Sequence, residues 1–141
     1  MKVTNKDVFE GKSAMQELLK CRLPVKVSSQ AAKLSRMFNE ALKDMDVVRR
    51  GLIDTYGVES DKGRGREVVE YLEDGTLNPE YKKFMDEWSE LLKIEVNIAS
   101  DKVKLPETIS ATCDKCHHNM DRPLEIEPWI LAALDKFVEV P

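Results

Sequence analysis

Cysteine and histidine come together once in the chain, as Cys113-Asp114-Lys115-Cys116-His117-His118. Two thiolates two residues apart, followed by imidazoles, suit a tetrahedral zinc ion because one tight turn can wrap the metal. Cys113 and Cys116 with either His117 or His118 make three ligands. The fourth must come from the other histidine, from Cys21 or from a second subunit. A reduced surface loop is the competing reading, since three cysteines in a chain of this kind do not make a disulfide framework. The same residues spell the attachment motif of a c-type haem, which requires export to an oxidising compartment that nothing in the sequence supports. They also match the knuckle of HNH-type nucleases, but such enzymes need a further histidine, and His117 and His118 are the only two. Nucleophilic catalysis by either cysteine lacks a visible partner base. The chain is expected to be no enzyme.

A second group of residues is suited to anions. Lys20, Arg22, Lys26, Ser28, Ser29, Gln30, Lys33 and Arg36 gather where a long helix is expected to begin. Free amides and the helix dipole favour negative charge there, and Lys26, Ser29, Lys33 and Arg36 would strengthen the attraction. Solubilising charge is the alternative. No Walker loop or dinucleotide fingerprint accompanies them. Tyr81, Phe84, Trp88 and Trp129 fall on amphipathic helices, where most are expected to be core. One left exposed, Trp88 or Trp129 for choice, could stack on a base or anchor a partner. Trp129, beside Pro128, is expected to be only partly buried.

These residues need elements to hold them. Thr4-Asn5-Lys6-Asp7 reads as a capping box opening a helix with Val8, Met15, Leu18 and Leu19 on one side, closed by Leu23-Pro24. Val25-Lys26-Val27 reads as an extended link, with Ser28 or Ser29 capping a helix that runs to Tyr56 and stops at Gly57. Its apolar residues, Ala31, Leu34, Phe38, Ala41, Met45, Val48 and Leu52, step by three and four. That seam must be covered along its length, and a second copy of the protein is one candidate. Arg49 and Arg50 are expected to pair with acids of a neighbouring helix.

Residues 58–66 read as a polar loop, Glu67 to Leu72 as a strand, and Asp74-Gly75 as a turn. Asn78-Pro79 opens a helix whose buried face is Tyr81, Phe84, Met85, Trp88, Leu91 and Leu92. The period then becomes two at Ile94, Val96 and Ile98, with a second strand at Val103 and Leu105. An irregular stretch from Pro106 to Pro123 and an extended Leu124 to Ile126 follow. Pro128 starts a last helix with Ile130, Ala133, Leu134 and Phe137 inward. The expected fold is α+β: a long helical hairpin (1–57) with a small antiparallel β-sheet and two shorter helices (67–141), in a single domain spanning 1–141.

Composition agrees. The 141 residues are 42% hydrophobic and 34% charged, with no run long enough to span a membrane. A cytoplasmic protein is expected. The net charge of −4 is divided unevenly. Up to Arg66 there are 14 Lys and Arg against 9 Asp and Glu, and from Glu67 onward 8 against 17. A chain with a +5 half and a −9 half can pair with itself, with a second copy or with two partners.

Three segments, LPVKVSSQAAKLSRMFNEALKDMDVVRRGLIDTYG (23–57), FMDEWSELLKIEVNI (84–98) and LEIEPWILAALDKFVE (124–139), together resemble small uncharacterised proteins of phages and prophages of Gram-positive bacteria. The likeness is one of pattern over about half the chain, and the Cys113–His118 insert departs from it. No catalytic motif belongs to the pattern, so no active-site residue is carried over. The resemblance implies a phage accessory protein in the host cytoplasm that counteracts antiviral defence. It would do so by sequestering a cyclic or ADP-ribose-derived nucleotide signal at a subunit interface, or by binding a defence protein as anti-CRISPR proteins do. A zinc-containing structural or nucleic-acid-associated module is the further alternative.

Overall fold

Thr4 and Asp7 start the helical part of the chain as a reciprocal cap. In the computed structural model, which describes residues 1–60, 63, 65–112 and 119–141, the Asp7 amide donates to the Thr4 hydroxyl at 3.2 Å. The Thr4 amide in turn donates to the Asp7 carboxylate at 2.9 Å. A short strand β1 (Lys2–Thr4) precedes the cap and α1 (Asn5–Lys20) follows it. Val8, Gly11, Ala14, Met15 and Leu18 are buried along one side of α1, while Leu19 stays exposed.

The long helix α2 runs from Val25 to Tyr56, 32 residues or about 48 Å. Its start corrects the sequence expectation. Val25-Lys26-Val27 is not an extended link but the first turn of the helix, the connection being residues 21–24, and neither Ser28 nor Ser29 is the cap. Pro24 occupies that position, with no side-chain cap bond. The Ser28 amide donates to the Pro24 carbonyl at 2.9 Å, and its hydroxyl donates to the Leu23 carbonyl at 3.1 Å, so the serine lies inside the first turn. The seam explains the early start: Val27 falls one turn before Ala31 and packs against the core, which rewards winding the β-branched pair Val25 and Val27 into helix. Gly57 ends α2 as expected, by close approach and not by a left-handed backbone. Its φ is −88°, and a Cβ there would collide with the Ile53 and Glu67 carbonyl oxygens.

Two helices share the cover of α2. α1 packs over its first half, where Ala31, Leu34 and Phe38 are buried, and on past the midpoint to the buried Met45. Gly11 permits the contact, since a Cβ would lie 3.2 Å from the Phe38 ring and 3.3 Å from the Leu134 side chain. α3 (Pro79–Lys93), capped by Asn78 through the Glu80 amide at 3.1 Å, lies along the second half. The end of α3 meets the start of α1 near Met45. There the buried Asn5 donates its side-chain amide to the Leu91 carbonyl at 3.0 Å and its backbone amide to Ile94 at 2.9 Å. The expected buried face of α3 is only half covered, and no residue of this helix is fully buried. Arg50 pairs with Asp46 of its own helix at 2.8 Å, not with a neighbour.

The strands form four two-stranded pairs where one sheet was expected. β1 pairs antiparallel with β4 (Glu95–Asn97), setting Val3 against Val96. β5 (Val103–Lys104) does not join them. It runs parallel to β8 (Val138–Glu139) near the C-terminus, a partner no local signal could reveal. β2 (Val58–Glu59) and β3 (Arg66–Glu67) pair across the loop after α2, so only Glu67 of the expected 67–72 strand is extended in a ladder. The rest feeds the Asp74-Gly75 turn, where Gly75 has φ +83° and Tyr71 bridges to Leu77. The stretch from Pro106 to Pro123, expected to be irregular, contains an antiparallel hairpin of β6 (Thr108–Thr112) and β7 (Asn119–Pro123).

α4 (Pro128–Ala133) packs against α1, on the side that also meets Phe38 of α2. Ile130, Leu134 and Phe137 complete the core, with Phe137 edge-on to Phe38 at 4.6 Å. Lys136 is 3.0 Å from Asp7, tying the C-terminal segment to the first cap. Burial works against the Asp7 charge. The Thr4 amide, Lys136 and the Thr4 hydroxyl outweigh it and hold the carboxyl below its ordinary value of 3.8. The chain is α+β, dominated by helix. Among the described residues no helix is long and apolar enough to cross a membrane.

Candidate functional site

Lys26, Ser29, Lys33 and Arg36 recur at steps of three and four, which places them on one face of α2, opposite the Ala31–Leu34–Phe38 seam. All four are exposed. The first turn of α2 has no side-chain cap and no acidic residue, so its free amides and dipole favour an anion. The stripe nevertheless spreads over about 15 Å of a convex helix face, and none of the four lines any of the grooves described below. Trp88 and Trp129 do not join it. Trp88 sits on α3, edge-on to Phe9 at 5.5 Å. Trp129, in the first turn of α4, is 45% exposed and donates its indole N–H to Glu127 at 2.6 Å.

Cys113, Cys116, His117 and His118 fall between β6 and β7, outside the described residues. Among the described residues no three His, Cys, Asp or Glu side chains gather as a metal group. Cys21 closes α1 as its C-cap, and its thiol donates to the Glu17 carbonyl at 3.6 Å. Burial and the nearby Glu17 carboxylate push that thiol up, away from the thiolate that metal binding or nucleophilic attack requires.

Concave surface is found instead on the two flanks of α2 at Met45. One groove, about 500 Å³, lies between α1, α2 and α3. Phe9, Leu42, Phe84, Met85 and Trp88 line it, with Lys12, Asp46 and Arg49 contributing its charge. The other, about 540 Å³, lies between α2, the end of α3 and β4. Met37, Ala41, Val48, Ile94 and Val96 line it, with Glu40 and Asp44 also on its wall. Both exist because α3 is thinly packed: Phe9, Val48, Met85 and Ile94 all remain exposed. Tyr56 fastens the far end. Its hydrogen bond to Glu87 of α3 pushes the phenol above its ordinary value.

Sequence reasoning missed both grooves, though a signal was present. A 16-residue helix before α2 reaches about 24 Å, half of what a 48 Å seam needs. Val48 and Leu52 had to be left to a second cover of unknown quality. Compared with known proteins, the chain matches no family model, no curated protein and no solved structure.

Proposed function

We propose that this protein works by binding another protein, without chemistry of its own. The observation that carries the reading is the groove between α1, α2 and α3, where Phe9 and Trp88 meet edge to face and Lys12 and Arg49 stand beside them. Aromatic anchors in an apolar groove with cations nearby suit an amphipathic segment with apolar side chains inward and acidic residues at its edges. The perturbed titrating groups support a non-catalytic reading among the described residues. Asp7 serves a cap, Cys21 a helix end, Tyr56 a helix contact and Asp74 a turn, so each has a structural cause. That the partner is a host defence effector, met in the host cytoplasm, rests on the phage resemblance alone. The nucleotide reading retains the basic, uncapped start of α2 as its support.

One experiment separates the two. A photocrosslinking residue replaces Met85 in the groove or Lys33 on the basic stripe, and each protein is exposed to host extract. A discrete adduct at position 85 that Trp88→Ala removes supports the groove. In parallel, thermal shift is read with cyclic oligonucleotides and ADP-ribose derivatives. A shift that Lys33→Glu abolishes, with equal background labelling at both positions, replaces the protein-binding reading with nucleotide sequestration.

A further inference from the structure

We propose that two copies of the chain pair antiparallel through the Met37–Ala41 flank of α2, about a two-fold axis passing near residue 38. The argument is the order of charges. Lys33 and Arg36 precede Met37 and Ala41, while Glu40 and Asp44 follow Arg36 and Met37. At 3.6 residues per turn these side chains lie on one side of the helix, Lys33, Met37, Ala41 and Asp44 within about 80° of arc. Reversing a second copy brings Lys33 opposite Asp44 and Arg36 opposite Glu40, twice each, with Met37 and Ala41 meeting at the centre. A parallel pairing would set like charges together. An isologous interface requires such self-complementarity.

Two observations support this occupant. All four charged residues are exposed, and among the described residues none of them is in an ion pair within the chain. The flank is also concave. Ile94, 53% exposed, and Val96 form the far wall of the 540 Å³ groove, so side chains of a second α2 gain apolar cover as well as charge. Ala41 is small enough to let the helices approach to the usual 8–10 Å. The surface is the opposite flank of α2 from the aromatic groove, so either reading can fail alone.

Charge exchange tests it. The full chain, 16.1 kDa, is weighed by sedimentation equilibrium at low salt, with circular dichroism as the check on folding. The wild type is expected at twice that mass. K33E/R36E makes the flank wholly acidic and E40K/D44K makes it wholly basic, and each is expected to weaken pairing at least about tenfold. Mixed together, the two should form a heterodimer, and the quadruple variant K33E/R36E/E40K/D44K should pair with itself again. A monomeric wild type overturns the proposal. So does a dimer that the double variants leave intact, or one that mixing and the quadruple variant fail to restore.

Discussion

The two halves of α2 receive covers of almost equal length with unequal results. α1 has 16 residues and places five nonpolar ones, from Val8 to Leu18, fully inside. α3 has 15 residues and a regular apolar face, yet places none. The difference lies beside the covering helix. The buried side of α1 meets α2 and also Leu134 and Phe137 of the C-terminal segment, which close its flank, whereas no described helix closes the flank of α3 in the same way. An amphipathic stripe states which side of a helix turns inward. How deep that side goes depends on whether a further layer excludes water from its edges. The first half of α2 therefore anchors the fold, and the second half presents surface.

Substitutions can break this contrast. Phe38→Ala should have the largest effect, about 3–5 kcal/mol off the stability read by urea unfolding, because Phe38 is 1% exposed and touches both α1 and Phe137. Trp88→Ala, the counterpart in the second half, should cost about 1–2 kcal/mol, since its ring is only partly covered. Equal losses would mean that α3 is packed as tightly as α1. Gly11→Val should cost about 1–3 kcal/mol, as branched atoms would press on Phe38 and Leu134, neither of which can yield in a full core. A neutral result in calorimetry would show slack between α1, α2 and α4.

Acid should act on the first half. The folded-state pKa of Asp7 is depressed, so its bonds contribute fully above the unfolded value of 3.8 and are lost as pH falls through the folded value. Asp7→Asn should cost about 1 kcal/mol at neutral pH, and the gap between the two proteins should close below about pH 4. A gap constant with pH would remove the cap and the Lys136 pair as its source. The smallest change is expected in the second half and has the opposite sign. Gly51 is helical, with nothing within 4 Å of an added Cβ, so Gly51→Ala should stabilise by about 0.5–1 kcal/mol and slow amide exchange in the last turns of α2.

Local chemistry made much of this legible. The Thr4–Asp7 box, Gly57, Asn78-Pro79 and the Asp74-Gly75 turn each bond within a few residues, so their side chains announce them. The start of α2 was misread because Ser28 and Ser29 are good caps locally, while the reward for starting at Val25 is a tertiary contact of Val27. The pairing of Val103 with Val138 and the β6–β7 hairpin depend on distant partners in the same way. At the site, Lys26, expected in an extended link, joins the basic side only because α2 starts at Val25. The side shared by Lys33 and Arg36 followed from helical spacing. Whether that side was convex or walled did not, because a wall belongs to another element.

The joint at Asn5 also has a meaning in time. Its side chain waits for the carbonyl of Leu91, 86 residues later, and β1 waits for β4 beyond it. At ordinary rates of synthesis that interval is about 4–17 s. Through it, the α1–α2 hairpin can form from neighbouring sequence while Phe9, Met45 and the free edge of β1 still face water or other nascent chains. Rare codons between 57 and 91 would prolong that exposure without changing one contact of the finished protein, so yield and aggregation in the cell should respond to translation speed more than to equilibrium stability.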